Sequence, residues 1–174
     1  IHARLSPART HCSQPPIISR SASLSMHQTP AILSPEKIVL HARPADKAAA
    51  IEAVGRLLVT SGHVTAEYVT AMFARESIAT TYLGNGVAVP HGTRDALAFV
   101  RSSGLAILHV PGGVDFGSGN IARLVIGLAA RGDDHLDILT SLAEVCSDET
   151  RLEQLLASRS AAELITILQG GLPS

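Results

Sequence analysis

Runs of apolar residues alternate with helical periodicity from about Ile38 onward. The segment KIVLHA (37–42) predicts a first strand, and short apolar runs at 87–89, 104–110 and 124–129 predict three more. The last two runs are almost continuously apolar, which is typical of strands that are buried on both faces. The segment PGGVDFGSGN (111–120) lies between them and is predicted to be a glycine-rich turn.

Two helices are predicted between the first and second strands. The first begins at Asp46, an N-cap residue, and stops at Gly62. The second begins at Thr65 as its N-cap and ends near Arg75 and Glu76. The positions that these helices turn toward the core are Ile51, Val54 and Leu58 in the first and Val69, Met72 and Phe73 in the second.

The C-terminal third of the chain is predicted to be helical. A helix begins at Asp133 or Asp134 as its N-cap, another begins near Ser147, and the last has the capping-box pair Ser160 and Glu163. The core-facing residues predicted for the first of these helices are Leu136, Leu139, Leu142, Ala143 and Cys146. Strands that alternate with helices predict an α/β fold, with a single mixed β-sheet, helices packed on both faces and one domain.

The N-terminal residues differ in composition from the rest of the chain. Residues 1–35 contain no Asp or Glu and are rich in Ser, Pro and His, without apolar periodicity. We interpret residues 1–32 as a disordered leader or as sequence added outside the natural protein, and residues 33–170 as the folded domain. Met26 is an alternative natural start.

Composition excludes several classes of partner. The chain has 174 residues, 46% hydrophobic residues and a net charge of -1, which suits one substantial core and gives no electrostatic reason to expect nucleic acid. Its apolar windows are shorter than the roughly 18 residues of a membrane-spanning helix, so no membrane insertion is expected. The two cysteines lie in different settings, which argues against a disulfide framework and fits a reducing cytoplasm.

His91 is the residue with the strongest chemical context. It lies in GNGVAVPHGT (84–93), directly after an apolar run and Pro90, which removes a ladder donor and should end strand pairing. The imidazole is therefore expected at the carboxyl end of a strand, where open α/β sheets bind ligands, with Gly92 leaving the backbone open to a partner or a phosphate. The alternative is an ordinary surface-loop histidine.

His135 and Arg75 are the two further candidates. His135 is expected in the first turn of a helix, near unpaired N–H groups that favour anions and disfavour the imidazolium form. Arg75 closes a helix before the loop that leads to His91, and an arginine fork recognises phosphate. The alternatives are a solvated histidine, and an arginine that pairs with its own helix end or with Glu76.

The remaining histidines and Cys146 give weaker signals. His41 and His109 alternate with apolar strand residues and are interpreted as core or edge groups, whereas His2, His11, His27 and His63 lie in the leader or a turn. Cys146 lies on an apolar helix face, where an inert thiol is expected. The sequence contains no HExxH, CxxC, P-loop or GxGxxG motif, so we expect no metal and no cofactor.

Three segments together resemble a known family. They are ARESIATTYLGNGVAVPHGT (74–93), SGLAILHVPGGVDFG (103–117) and IARLVIGLAARGDDHLDILTSLAEVCSDE (121–149). In order and spacing they resemble the enzyme IIA domain of the mannitol/fructose type from the bacterial sugar phosphotransferase system. The resemblance implies that His91 is phosphorylated by phosphorylated HPr, a histidine-phosphorylated carrier, with His135 and Arg75 as the other active-site residues.

The resemblance also implies the partners and the mechanism. The phosphoryl group would pass to a cysteine of an enzyme IIB domain, which serves a membrane IIC permease, and IIB is expected on another polypeptide or beyond this sequence. Neutral His91 would attack through one ring nitrogen while a backbone carbonyl holds the other. Exposed Leu, Val or Phe residues near His91 would form the docking surface. Val114 and Phe116 are candidates for it, with a core role as the alternative for Phe116.

Two rival functions remain open on the sequence. A nitrogen-type IIA regulator shares the histidine segment but acts by binding proteins according to its phosphorylation state, and a metal-dependent hydrolase is the third interpretation. The segment LVIGLAARGDDHLDIL (124–139) favours the sugar-transport type. The loop 111–120 looks shorter and less acidic than in mannitol forms, which leaves the sugar open.

Overall fold

A mixed β-sheet forms the centre of the fold. The computed structural model describes residues 31–132 and 134–170, and in this part of the chain the sheet has five strands in the order β1-β4-β5-β3-β2. The strands are β1 (Ile38–Val39), β2 (Tyr82–Gly84), β3 (Val87–Ala88), β4 (Gly104–Asp115) and β5 (Ile121–Ala129). The pairs β1–β4 and β3–β5 are parallel, whereas β2–β3 and β4–β5 are antiparallel.

Helices cover both faces of this sheet, as the sequence predicts. They are α1 (Lys47–Thr60), α2 (Glu67–Ile78), α3 (Asp134–Ser147), α4 (Glu149–Ala157) and α5 (Ala161–Gln169), with short 3-10 helices at Pro35–Lys37 and Arg94–Phe99. Alternate residues of β4 and β5 point to opposite faces. Ile107 and Ile126 accordingly pack in the cluster that includes α3, α4 and α5, whereas Leu108 and Val125 pack in the cluster that includes α1 and α2.

The helix starts agree with the sequence in three of four testable cases, one of which is the start near Ser147, where α4 begins at Glu149 with Asp148 as its N-cap. Asp46 accepts a hydrogen bond from the backbone N–H of Ala49 (2.8 Å), and Ser160 accepts one from the N–H of Glu163 (3.2 Å). The predicted N-cap Thr65 is wrong, because α2 begins at Glu67 with no side-chain cap. The Thr65 carbonyl accepts the N–H of Tyr68 instead, in a turn that precedes the helix.

Two strand boundaries also differ from the prediction. The first strand covers only residues 38–39, because the chain turns at His41, whose φ is +54°. The predicted turn 111–120 is shorter than expected, since β4 continues to Asp115 across a register shift between His109 and Val114. Gly113, with φ of +73°, lies in that irregular stretch, which therefore forms a bulge within the strand.

The inward face of α3 is rotated relative to the prediction. Its buried residues are Ile138, Leu142, Val145 and Cys146. Leu136 is 71% exposed and Ala143 is also exposed, so assigning these two to the core was wrong. The predicted cap Asp133 lies outside the described residues, and Asp134 is the first residue of the helix.

The first described residues already pack against the rest of the fold. The predicted leader lies outside the described residues up to position 30. The Ile32 carbonyl accepts the N–H of Leu105 (2.7 Å), and Leu33 is buried, so these residues belong to the packed structure. Among the helices of residues 31–132 and 134–170, none combines the length and apolarity needed to cross a membrane.

Close packing of α1 on β5 generates a stability prediction. A Cβ at Gly127 would lie 2.7 Å from the Cβ of Val54, an atom that cannot move without its backbone. We expect Gly127→Ala to lower the free energy of unfolding by about 1–3 kcal/mol, measured by urea denaturation. The matched control is Gly112→Ala, where a new Cβ would meet no atom within 4 Å. Equal denaturation midpoints for the two variants would contradict this packing.

Candidate functional site

His91 lies after the end of β3, at a point where the chain still runs alongside β5. The carbonyl of Pro90 accepts the N–H of Leu128 (2.9 Å), and His91 forms an isolated parallel bridge with Leu128. The side chain is only 9% exposed. His91 is therefore at the carboxyl end of a strand, as expected, and the alternative of an ordinary surface-loop histidine is wrong.

One hydrogen bond determines the tautomer of His91. Its Nδ1 lies 2.8 Å from the carbonyl oxygen of Val89. Because a carbonyl can only accept, Nδ1 carries the hydrogen and donates it. The neutral ring therefore keeps its lone pair on Nε2, and the acceptor is a backbone carbonyl, as the sequence argument expects.

The three candidate residues line one cleft. This cleft has a volume of about 510 Å³, and its walls include His91, His135 and Arg75. The rings of His91 and His135 meet edge to face with centroids 5.0 Å apart. His135 lies in the first turn of α3, as predicted, and is half-buried. His135 and Arg75 therefore line the same cleft as His91.

Arg75 has a second contact that the sequence argument gave as an alternative. Its Nη1 donates to the carbonyl of Ala79 (2.9 Å), the C-cap residue of α2. It does not pair with Glu76, whose carboxylate pairs with Lys47 instead. Arg75 therefore caps its own helix while its side chain lines the cleft.

Burial and positive charge keep both histidines neutral. The pKa of His91 is below its ordinary value of 6.5, chiefly because the ring is buried, and His135 and Arg75 lower it further. The Val89 carbonyl and the Glu76 carboxylate oppose that shift. Burial, with a smaller effect from Arg75, also lowers the pKa of His135. At neutral pH the Nε2 lone pair of His91 is therefore available.

Tyr68 is a site residue that the sequence argument missed. Its hydroxyl donates to the carbonyl of Leu128 (2.8 Å) and accepts the N–H of Gly92 (2.9 Å). A Cβ on Gly92 would lie 2.6 Å from the Tyr68 ring, so the tyrosine requires a glycine at this position. Gly92 also lines the cleft, where we had expected it to leave the backbone open to a partner or a phosphate. Tyr68 precedes Met72 by one helical turn, which indicates that it faces the core but does not indicate its contact with Gly92.

Exposed leucines surround the mouth of the cleft. Leu83 and Leu97 are each 47% exposed, Leu136 is 71% exposed, and all three line the cleft; we call them the leucine rim. The expected docking residues Val114 and Phe116 are instead 6% and 1% exposed. That prediction is wrong for both, because β4 extends through Val114 and carries Phe116 into the core beside α1 and α2, which is the alternative role given for Phe116.

The other histidines and Cys146 lie apart from the candidate residues. His109 is buried with Nε2 on the carbonyl of Leu156 (2.9 Å), whereas His41 is exposed and outside the strand, so its assignment as a strand residue was wrong. His63 lies in a turn, as predicted, but is fully buried, and His2, His11 and His27 lie outside the described residues. Burial raises the pKa of the Cys146 thiol to about 11, in agreement with an inert thiol. In residues 31–132 and 134–170 no three His, Cys, Asp or Glu side chains converge on a metal position.

The electrostatics of the cleft generate a prediction about pH. We expect His91 to titrate below 6.5 in an NMR titration, and Arg75→Gln to raise its pKa by removing a positive charge. Because the unfolded chain binds the proton more readily, this histidine should make the folded protein less stable as pH falls below about 6.5. Arg43→Gln, beside β1, is the matched control and should leave the His91 titration unchanged. A His91 pKa at or above 6.5 in the wild type would contradict the account.

Comparisons with known proteins show the family of the chain. Residues 31–170 match the family model for the phosphoenolpyruvate-dependent sugar phosphotransferase system, EIIA 2. The chain is 46% identical over 137 residues to the mannitol-specific phosphotransferase enzyme IIA component of Geobacillus stearothermophilus, covering 79% of this chain and 94% of that one.

Two solved structures show the same fold. The first is the complex of enzyme IIA-Mtl and phosphorylated enzyme IIB-Mtl from Escherichia coli (40% identity, TM-score 0.73, 79% of this chain and 97% of that chain). The second is the nitrogen regulatory protein IIA-Ntr from Neisseria meningitidis (31% identity, TM-score 0.69, 79% and 96%). On the family match and these identities, the chain belongs to the EIIA type-2 family of the phosphoenolpyruvate-dependent sugar phosphotransferase system.

Proposed function

We propose that this protein is a cytoplasmic phosphocarrier in which His91 accepts a phosphoryl group from phosphorylated HPr and passes it to a cysteine of an enzyme IIB domain. The observation that carries the proposal is the hydrogen bond from His91 Nδ1 to the Val89 carbonyl, which leaves Nε2 free on a ring that lines the cleft. The similarity to mannitol-specific components favours mannitol as the sugar of the pathway.

The chemistry follows from the tautomer. The Nε2 lone pair attacks phosphorus, the P–N bond to the donor histidine breaks, and the bonding electrons stay with the donor. The His91 ring keeps its Nδ1 hydrogen and so becomes cationic once Nε2 carries the phosphoryl group. The Val89 carbonyl dipole points at that hydrogen and stabilises the cation. The IIB thiolate then attacks phosphorus, the P–Nε2 bond breaks, and its electron pair returns to Nε2, which restores the neutral ring.

Arg75 and His135 supply the remaining stabilisation. Phosphoryl transfer passes through a loose transition state whose negative charge spreads over the phosphoryl oxygens. The Arg75 guanidinium and an imidazole N–H of His135 lie along the same cleft and can donate to those oxygens. Positioning and charge neutralisation then account for catalysis by this chain's own residues.

The leucine rim is the proposed docking surface. Leu83, Leu97 and Leu136 are exposed apolar side chains around a buried nucleophile, which is the arrangement of an interface core around a reactive group. HPr and IIB must each reach the same nitrogen atom, so they bind alternately to this rim.

The first prediction tests the phosphoryl acceptor. In an incubation with ³²P-labelled phospho-HPr, the wild type should take up label stoichiometrically and His91→Ala should take up none. Arg75→Ala should remain folded and lose about 10²-fold in transfer rate, the effect of removing one preorganised donor. His41 is exposed and lies outside the cleft, so His41→Ala is the control and should label like the wild type.

The outcomes separate the proposal from its rivals. Full labelling of His91→Ala would rule out His91 as the acceptor. A subsequent chase onto mannitol-type IIB domains should empty the labelled protein within the time of the assay. Label that stays on the protein with every IIB domain tested would instead support the nitrogen-type regulatory function.

A second prediction concerns docking. Leu136→Ser should raise the KM for phospho-HPr about fivefold, equivalent to about 1 kcal/mol of lost interface energy, while kcat stays near that of the wild type. The matched control is Ile78→Ser, because Ile78 is 74% exposed and lies outside the cleft. Equal KM values for the two variants would remove Leu136 from the proposed surface.

A further inference from the structure

Glu76 is a buried carboxylate beside the cleft to which the proposed chemistry assigns no role. It is 8% exposed, although it follows Arg75 directly in α2. One of its oxygens accepts both the backbone N–H (2.7 Å) and the hydroxyl (2.6 Å) of Thr81, and the other pairs with the Lys47 ammonium (3.2 Å). Burial by itself would raise the pKa of Glu76, but these donors lower it overall, so the group is an anion.

The contacts of Glu76 continue to the candidate nucleophile. The carbonyl of Thr81 accepts the N–H of Val89 (2.9 Å). The carbonyl of the same Val89 accepts the Nδ1 hydrogen of His91 (2.8 Å). A series of hydrogen bonds therefore connects the Glu76 carboxylate, through the backbones of Thr81 and Val89, to the His91 imidazole.

The same carboxylate also acts on His91 through its charge. Arg75 and His135 oppose a positive charge on the His91 ring, whereas Glu76 favours it. A ring that carries a phosphoryl group on Nε2 and a hydrogen on Nδ1 is cationic. An anion held at a fixed position near that ring offsets the repulsion from Arg75 without touching the phosphoryl oxygens.

We propose that Glu76 is a positioning residue for phosphoryl transfer, which holds Val89 through Thr81 so that His91 presents Nε2, and which stabilises the cationic ring after transfer. This inference rests on the proposed function of His91. Thr81 is the link in the series, and Lys47 fixes the carboxylate from α1. Glu76 need not contact either partner protein.

The experiment compares Glu76→Gln, Thr81→Val and Thr81→Ser with the wild type. Glu76→Gln should lower kcat for phospho-HPr about tenfold, which is the lower end of the effect of removing a carboxylate that orients a functional histidine. KM should not change, because the leucine rim is intact. In ¹⁵N NMR spectra its His91 pKa should fall, and its Nδ1 and Nε2 shifts should move toward each other as the tautomers mix. Thr81→Val should lose part of kcat, and Thr81→Ser, which keeps the hydroxyl, should restore it.

A purely structural role would give a different pattern. If Glu76→Gln lowers the urea midpoint but its folded fraction keeps the wild-type kcat, His91 pKa and ring shifts, the inference is overturned. If Glu76→Gln does not fold, the Thr81→Val and Thr81→Ser pair decides by the same kcat and NMR measurements. A wild type that takes no label would overturn the proposed function, whereas unchanged ring shifts in both Glu76→Gln and Thr81→Val would overturn the positioning role alone.

Discussion

The hydrogen bond between His91 Nδ1 and the Val89 carbonyl determines what the cleft can do chemically. The two residues are only two positions apart, so the bond depends on the course of the backbone through Pro90 and on the contacts that hold this segment in place. It assigns the hydrogen to Nδ1 and the lone pair to Nε2, and it places a carbonyl dipole against the ring that the proposed phosphoryl transfer would make cationic. Loss of this bond would leave a buried imidazole free to adopt either tautomer, with no preferred nucleophilic nitrogen.

The central strand β5 keeps that short segment in position from both sides of His91. The N–H of Leu128 binds the Pro90 carbonyl, and the carbonyl of Leu128 accepts the Tyr68 hydroxyl, which in turn accepts the N–H of Gly92. One residue of β5 therefore fixes the chain just before and just after the histidine. Because β5 is buried from Leu124 to Ala129, this support comes from the buried centre of the sheet.

Local patterns in the sequence predicted the parts of the site that depend on short-range chemistry. Apolar runs and Pro90 predicted the strand end at His91, and helix boundaries predicted the positions of Arg75 and His135. Tyr68 and Glu76 could not be found in this way, because their partners Gly92 and Thr81 belong to other segments and neither contact leaves a spacing signal. Exposed apolar residues near His91 were expected, but the residues of the leucine rim were not identified: Leu136 was assigned to the core, because an apolar residue on a helix predicts burial, and it is exposed. Val114 and Phe116 were misassigned because a glycine-rich segment predicts a loop, although here it forms a bulge inside β4.

The central claim concerns one atom, and NMR of the phosphorylated protein tests it most directly. With ¹⁵N-labelled histidine, the coupling between ¹⁵N and ³¹P identifies the nitrogen atom that carries the phosphoryl group. The account predicts this coupling on Nε2 of His91, with Nδ1 still protonated and hydrogen-bonded. Coupling to Nδ1, or to a nitrogen of any other histidine, would contradict it.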